Sequence, residues 1–381
     1  MAEPGGGRLL VVDDNRLNRM MLGRHLAQQG HHVTYAENGL EALERLRAEP
    51  FEMMLLDIEM PELDGYEVLR QVIADPELRD VLVIVTSALE EMDSIVRCIQ
   101  MGAEDYLIKP VNEVLLRARI NASLEKKRLR DQQTEMLCRM ESELELARKT
   151  QQSILPDALP LHPGYDFGAL MVPARMVGGD FYEFIPHSDQ LLGIVIGDVS
   201  DKGLPAALFM ALTYSLVRAE ATRNSSPAQV LSSANRHLLN MNASNMFVTL
   251  LYGCLNFESG ELVYARAGHP LPVILGPGGE KIEIPAQAGQ PLGIMEEPLL
   301  DLQSVILPPG GMACLFTDGI NEAADSAGEE FGLERLEHTL RFHSGATAQE
   351  NCARLWDAVQ SHRGDLAVQD DFAAVIIKRR S

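Results

Sequence analysis

Cysteine, basic charge and long apolar runs are all scarce in this chain. Its five cysteines, Cys98, Cys138, Cys254, Cys314 and Cys352, are widely spaced and form no Cys-x-x-Cys pair. That excludes a disulfide framework and reads as free thiols in a reducing compartment. Lysine and arginine number 33 against 55 aspartates and glutamates, a formal charge of −22. Such a surface repels nucleic acid and anionic membranes, so neither is expected as a partner. The apolar runs, such as Leu191–Gly197 and Val81–Val85, are strand-length, far below the roughly 20 residues that span a bilayer. The start, Met1 to Gly7, is Gly-rich and has no apolar signal region, so a cytoplasmic location is expected. No internal repeat is visible.

What is present suffices for two cores and a connector, since 46% of the 381 residues are apolar. Between residues 8 and 120, strand-like runs lie at Leu9–Val12, His32–Ala36, Met53–Leu56, Val81–Thr86 and Asp105–Ile108. Amphipathic stretches alternate with them at Asn18–Gln29, Leu40–Ala48, Tyr66–Ala74, Met92–Met101 and Glu113–Leu124. Such alternation predicts an α/β domain, a doubly wound parallel five-stranded sheet with its ligand site outside the carboxyl ends of the strands. Residues 121–155 carry no strand signal, no Gly and no Pro, and read as a long helical linker continuous with the preceding helix. Pro156 and Pro160 end it. Leu137, Leu144 and Gln151 recur every seven residues there, followed three later by Met140, Ala147 and Ile154. That seam suits a coiled-coil homodimer, the alternative being a helix packed on its own domain. From 156 to 381, strands are expected at Leu191–Gly197, Met246–Asn256, Glu261–Arg266, Pro272–Leu275, Ser304–Leu307, Met312–Thr317 and Ala373–Lys378. Helices are expected at Pro205–Arg223, Pro227–Met241, Gly332–Arg341 and Ala348–Gln360. This pattern predicts an α+β domain with two sheets packed between helices.

Asp13 and Asp14 follow the first strand, Asp57 ends the third, Thr86 the fourth and Lys109-Pro110 the fifth. In a doubly wound sheet those ends meet at one edge. Three carboxylates there make a site for Mg²⁺, which takes hard oxygen ligands. The cation would neutralise a phosphoryl group arriving on Asp57, with Lys109 as a fixed positive charge and Thr86 as a hydroxyl donor. Any one of these residues alone reads as a turn or cap, but together they fall in order on successive strands. Residues 8–125 resemble a response-regulator receiver domain, with its signature residues all present. The resemblance implies that Asp57 accepts phosphate from a histidine kinase or phosphotransfer protein. It implies Mg²⁺ on Asp14, Asp57 and the Glu59 carbonyl, with Asp13 in support. It also implies a switch pair, Thr86 and Tyr106, beside Lys109, and a cis Lys109–Pro110 bond.

Four further aspartates lie next to apolar runs, three of them close to glycine. They are Asp180 in Val-Gly-Gly-Asp-Phe-Tyr, Asp198 in Ile-Gly-Asp-Val-Ser-Asp-Lys-Gly, Asp318 in Phe-Thr-Asp-Gly-Ile and Asp370 in Gln-Asp-Asp-Phe-Ala-Ala-Val. That layout holds carboxylates at strand ends, where oxygens can converge on hard cations. No Cys or His cluster has zinc spacing, so two Mn²⁺ or Mg²⁺ are expected. Such a pair would activate water for in-line attack on a phosphate. The absence of a Cys-x5-Arg loop excludes a thiol phosphatase. Gly178-Gly179-Asp180 also resembles the start of a diguanylate cyclase signature, but Phe181-Tyr182 stands where Glu-Phe is required.

Residues from about 160 to 380 resemble a PPM-type protein phosphatase (protein phosphatase 2C) of the SpoIIE/RsbU branch. The matching stretches are Gly178 to Tyr182, Gly197 to Gly203 with Pro205 to Leu208, Ala267 to Pro270, Thr317 to Ile320, and Asp370-Asp371. The linker's Glu145 to Arg148 and Gln151 to Pro156 match the helix that precedes such a domain. The resemblance implies metals on Asp180, Asp198, the Val199 carbonyl, Asp318 and Asp370, with Asp371 second to Asp370. Asp201 stands where many relatives have Gly, and would either hold an extra metal or, as favoured here, cap the following helix. His269 could serve as a general acid, but a turn between Gly and Pro favours a structural role. Gly289 to Gly293 reads as a loop near the active-site flap.

Together the resemblances imply that phosphorylation of Asp57 controls a metal-dependent protein serine/threonine phosphatase. Its implied substrate is a phosphorylated anti-sigma-factor antagonist of the STAS type, in bacterial partner switching. The alternative is a non-catalytic adaptor whose phosphatase-like domain binds a regulatory partner; the presence of all four aspartates weighs against it.

Overall fold

The computed structural model describes residues 6–88, 92–242, 245–285, 287–343 and 345–381. The Gly-rich start read at Met1–Gly7 therefore lies outside the described residues up to position 5. The chain divides into two units, Met1–Arg139 and Met140–Ser381.

In the first unit, strands β1 (Arg8–Val12), β2 (His32–Ala36), β3 (Met53–Asp57), β4 (Leu82–Ser87) and β5 (Asp105–Ile108) alternate with helices. The helices are α1 (Arg16–Gln28), α2 (Gly39–Ala48), α3 (Gly65–Ala74), α4 (Met92–Gln100) and α5 (Glu113–Gln152). The sheet is parallel, in the order β2-β1-β3-β4-β5. Its central strands are apolar at consecutive positions because helices cover both faces. Leu10, Leu56, Val68 and Val85 pack on one side, and Leu9, Leu26, Leu55 and Ile84 on the other. Asn15, Asn38 and Asp64 accept backbone amides at the starts of α1, α2 and α3, which fixes where each helix leaves the sheet edge.

The stretch read as a fifth helix and the linker form one helix of 40 residues. Neither Gly nor Pro interrupts it, so nothing local breaks its hydrogen-bond ladder. Leu116, Ile120 and Leu124 lie in the core of the first unit, and Ile154, just past the helix end, packs in the second. Of the heptad positions, Leu137 and Met140 are exposed while Gln151 is buried. The seam left open to a partner is therefore shorter than the repeat suggests.

The second unit begins with β6 (Tyr165–Val172), β7 (Phe181–Ser188), β8 (Leu191–Val199), α6 (Leu204–Ala221) and α7 (Pro227–Met241). Strands β9 (Val248–Asn256), β10 (Glu261–Ala267), β11 (Val273–Leu275), β12 (Asp301–Ile306) and β13 (Met312–Phe316) follow. It closes with α8 (Asp318–Asn321), α9 (Gly332–Phe342), α10 (Ala348–Arg363) and β14 (Phe372–Arg379). Two antiparallel sheets form, β12-β10-β9-β8-β7 and β11-β13-β14-β6. Phe167, Phe184, Ile194, Ile196, Leu315 and Val375 pack between them. Helices α6 and α7 cover the outer face of the first sheet, and α9 and α10 that of the second.

The sequence conceals β6 and β7. Gly168 interrupts β6, where an added Cβ would lie 2.3 Å from the backbone of Ala348. Pro186 and a register shift before Ser188 disturb β7, and proline argues against a strand interior. None of the described helices is long and apolar enough to cross a membrane.

One buried ion pair fastens β10 to β12. Arg266 donates from Nε and Nη2 to Asp301 Oδ2 at 3.0 and 2.8 Å. It also reaches the carbonyls of His269 and Gln287, each at 2.6 Å. Removing one partner would strand the other charge, because Asp301 is fully buried. Arg266→Ala is expected to cost about 3–5 kcal/mol in urea unfolding, whereas Arg266→Met with Asp301→Leu should cost far less. An equal loss in both would contradict this account.

Candidate functional site

The first unit assembles its acids at the carboxyl ends of its strands. One oxygen each of Asp13, Asp14 and Asp57 lies within 4.8 Å of the others. Lys109 Nζ donates to Asp13 Oδ2 at 2.7 Å and to Asp57 Oδ2 at 2.6 Å. Burial pushes the Asp57 carboxyl above its ordinary pKa, against the pull of Lys109. Burial opposes the charge on Lys109 too, but its two carboxylates outweigh that and hold its pKa up. Three carboxylates against one ammonium leave surplus negative charge, and Asp14 stays exposed. This donor set fits Mg²⁺.

Thr86 stands in register with Asp57 on the neighbouring strand. Its hydroxyl is buried and has no partner among the described residues. An orphaned hydroxyl beside a carboxylate fits an acceptor that arrives later, as a phosphoryl group does. The Glu59 amide donates to Asp57. Tyr106 lines a small cavity with Tyr66, Ile95 and Cys98, and the Lys109–Pro110 bond is cis. Sequence patterns give no sign of Arg19, whose Nη1 donates to the carbonyls of Asp13 and Asp14 at 2.6 and 3.0 Å. That fastens the acid turn to α1.

In the second unit each sheet supplies two acids. Asp180 immediately precedes β7 and Asp198 lies in β8, while Asp318 opens α8 after β13 and Asp370 lies just before β14. The carboxyls of Asp180 and Asp198 are hydrogen-bonded to each other. Burial, then the charge of Asp198, pushes Asp180 well above the usual carboxylate range. Burial, then Asp318, raises Asp198 to about 7. Burial, then Asp370, raises Asp318. Their oxygens do not close to the spacing of the first cluster. Acids this crowded are the chemistry of a divalent-cation site.

Asp370 and Asp371 separate in role. Asp371 accepts the amides of Ala174 and Gly179 at 2.7 and 2.6 Å, so it fastens the Gly-Gly-Asp turn. Asp370 faces Lys202 instead, at 2.9 Å. Asp201 does not cap α6: Gly203 holds the N-cap position with no side-chain bond, and Asp201 is exposed with φ 69°. The turn into α6 places Asp201 in the left-handed region, two residues short of the cap. Val199 is buried at the end of β8. His269 is buried, with Nδ1 3.0 Å from Thr249 Oγ1. Burial drops its pKa to about 3, so it is neutral at pH 7. In the Gly289–Gly293 loop, Leu292 bridges to Val248.

Three contacts are not evident from sequence. Thr317 Oγ1 donates to Asp180 Oδ2 at 2.7 Å, tying one sheet's acid to the other sheet. Lys202 pairs with Asp370, though only its place in the Asp198–Gly203 motif marks it. Gln151, in the last turn of α5, donates to the Gly178 carbonyl at 2.6 Å and accepts the Gly178 amide at 3.2 Å. Its heptad position suits a partner chain, and the match of Gln151 to Pro156 to the helix before a phosphatase domain does not single out this loop.

The family model described as Stage II sporulation protein E (SpoIIE) matches residues 188–380, and that of the response regulator receiver domain matches 9–121. The chain belongs to the SpoIIE family of PPM-type phosphatase domains, joined here to an N-terminal receiver domain. It is 30% identical over 243 residues to "Phosphoserine phosphatase RsbU" of Bacillus subtilis (strain 168), spanning 63% of this chain and 71% of that protein. It is 32% identical over 235 residues to "Protein IcfG" of Synechocystis, spanning 54% of this chain but 37% of that one. The solved "SiaA-PP2C domain of Pseudomonas aeruginosa" shares the fold, with a TM-score of 0.57 and 23% identity over 65% of this chain and 99% of that one. Asp198, Asp318 and Asp370 fall within the family match, and Asp180 lies just upstream.

Two predictions follow from the crowded acids and the buried imidazole. Mn²⁺ at about 100 times its dissociation constant adds roughly 2.7 kcal/mol to a folded state that binds it. Calorimetry of the full chain should show that gain in the transition of the second unit. Asp198→Asn should raise the metal-free midpoint by relieving repulsion and remove most of the Mn²⁺ gain; a gain of equal size in the variant would refute the site. For His269, the folded chain takes up a proton only near pH 3, against an ordinary value of 6.5. The unfolded state therefore binds more protons in between, and stability falls as pH drops through that range. His269→Asn should flatten this acid limb in urea unfolding at pH 7 and pH 5. An unchanged slope would mean that His269 is not held neutral.

Proposed function

We propose that this protein is a protein phosphatase governed by its receiver domain. Asp57 takes a phosphoryl group from a histidine kinase or phosphotransfer protein, with Mg²⁺ on Asp13, Asp14, Asp57 and the Glu59 carbonyl. Lys109 and Thr86 then hold the phosphoryl oxygens. In the second unit Asp180, Asp198, the Val199 carbonyl, Asp318 and Asp370 hold two Mn²⁺ or Mg²⁺. When bound, these cations supply Lewis-acid activation of water and of the phosphate ester. The protein's own part is to hold those carboxylates in place. Thr317 orients Asp180, the amide bonds of Asp371 brace the turn before it, and Lys202 offsets the charge of Asp370.

The observation that carries this reading is the course of α5. It begins in the receiver core and ends with Gln151 bonded on both sides to Gly178, two positions before Asp180. A change in the receiver that moves this helix therefore bears on the loop that presents Asp180. The exposed Leu137 and Met140 support pairing of two chains along the same helix. Similarity to a protein named phosphoserine phosphatase supports a phosphoserine or phosphothreonine protein as substrate, of the STAS anti-sigma-factor-antagonist type.

Hydrolysis of p-nitrophenyl phosphate with Mn²⁺, with and without beryllofluoride, tests the proposal. Turnover should fall about 100-fold or more in Asp198→Ala, as when other electrostatic catalytic groups are removed. Beryllofluoride should raise turnover in the wild type but not in Asp57→Ala, and Gln151→Ala should lose most of that response. Turnover lowered by beryllofluoride would reverse the sign of control. Turnover that ignores Asp57 entirely would remove the receiver from it.

A further inference from the structure

Beside Asp370 a cavity of about 150 Å³ opens between α8, α10 and the segment leading into β14. Its lining includes Trp356, Val359 and Phe372, with Trp356 edge-on to Phe372 at 5.0 Å between ring centroids. Its charged residues balance. Lys202 is taken by Asp370 at 2.9 Å, and Glu322 and Arg363 supply one charge of each sign. One donor is left over. Arg363 bonds Gln360 through Nη2, but its Nε–H is buried with no acceptor among the described residues.

We infer that this cavity is a specificity subsite that takes one apolar side chain, of ring or branched-chain size, flanking the phosphorylated residue of the substrate protein. The inference rests on the phosphatase reading and adds to it which substrate sequences are favoured. Size supports it, since about 150 Å³ is room for a benzene-sized group, here against the rings of Trp356 and Phe372. Place supports it, since Asp370 is both a wall of the cavity and one of the four acids. An extended chain advances about 3.3–3.6 Å per residue, so an occupant lies within a few residues of the ester. Charge supports it, since a balanced rim offers no surplus to recruit a charged side chain, and the wall made by Trp356, Val359 and Phe372 is left to an apolar one.

Trp356 is the only tryptophan of the chain, so its emission reports occupancy without turnover. The probes are phosphoserine peptides of glycine and alanine in which one phenylalanine is placed in turn at each of the three positions on either side. They are titrated into the full chain with Mn²⁺. One placement should move the Trp356 emission to shorter wavelength and lower KM about tenfold against the peptide without phenylalanine, within what burying one such side chain supplies. Ala324→Phe and, separately, Val368→Phe fill the cavity from two different segments. Each should abolish the emission shift and the tenfold preference, with peptide turnover taken as a ratio to p-nitrophenyl phosphate turnover by the same protein. Having two variants lets a folded one decide if the other fails to fold. The subsite is overturned if no placement moves the emission, or if the shift survives in a folded variant. An emission shift without turnover of either substrate would keep the subsite and overturn the phosphatase reading instead.

Discussion

Asp180 and Asp198 share a hydrogen bond in a place where burial opposes the charge of both, and much of the second unit is arranged around holding them there. Carboxylates left to themselves would turn toward water or take up protons. Here Thr317 reaches across from the other sheet, and Asp371 ties down the turn before Asp180 with backbone amides. Close approach makes this possible. A Cβ on Gly319 would lie 1.9 Å from the Asp371 carbonyl, and one on Gly178 2.5 Å from its carboxylate. The glycines beside these aspartates are therefore packing requirements as much as turn residues. Without a cation the unit forgoes stability at this point, which a bound cation would restore.

The same loop receives the end of α5. Gln151 satisfies both polar groups of Gly178, as a neighbouring strand would, and does so from a side chain. Such a pairing is directional. It holds when the last turn of the helix is in place and fails if that turn unwinds or rotates. The helix carries neither glycine nor proline over its 40 residues, so no kink is built into it. The pairing thus makes Gly178 sensitive to the helix in a way that apolar packing alone would not.

The receiver was legible almost residue by residue, because its chemistry sits at strand ends whose order in sequence is their order around the site. Asp13, Asp57, Thr86 and Lys109 needed only the strand pattern to be placed together. The second unit was legible at its four aspartates but not in the contacts that orient them. Thr317, Lys202 and Gln151 act across sheets or from another element, and no local spacing encodes that. Asp201 misled because an acid shortly before a helix usually caps it, whereas here the helix begins beyond its reach. Strands β6 and β7 hid behind Gly168, which the approach of α10 requires, and Pro186, which stands beside a register shift.

The two acid sites differ in one respect that suits opposite tasks. In the receiver, Lys109 lies inside the cluster and bonds two of its three carboxylates directly. A fixed cation there would go on stabilising a phosphoryl group after transfer, and a modification that must last long enough to signal needs such retention. In the second unit Lys202 stands at the rim and pairs with Asp370. Lys202 thus bonds one acid at the edge of the set rather than two at its centre. Sites built from the same carboxylate chemistry can in this way favour keeping a phosphoryl group in one unit and letting it go in the other.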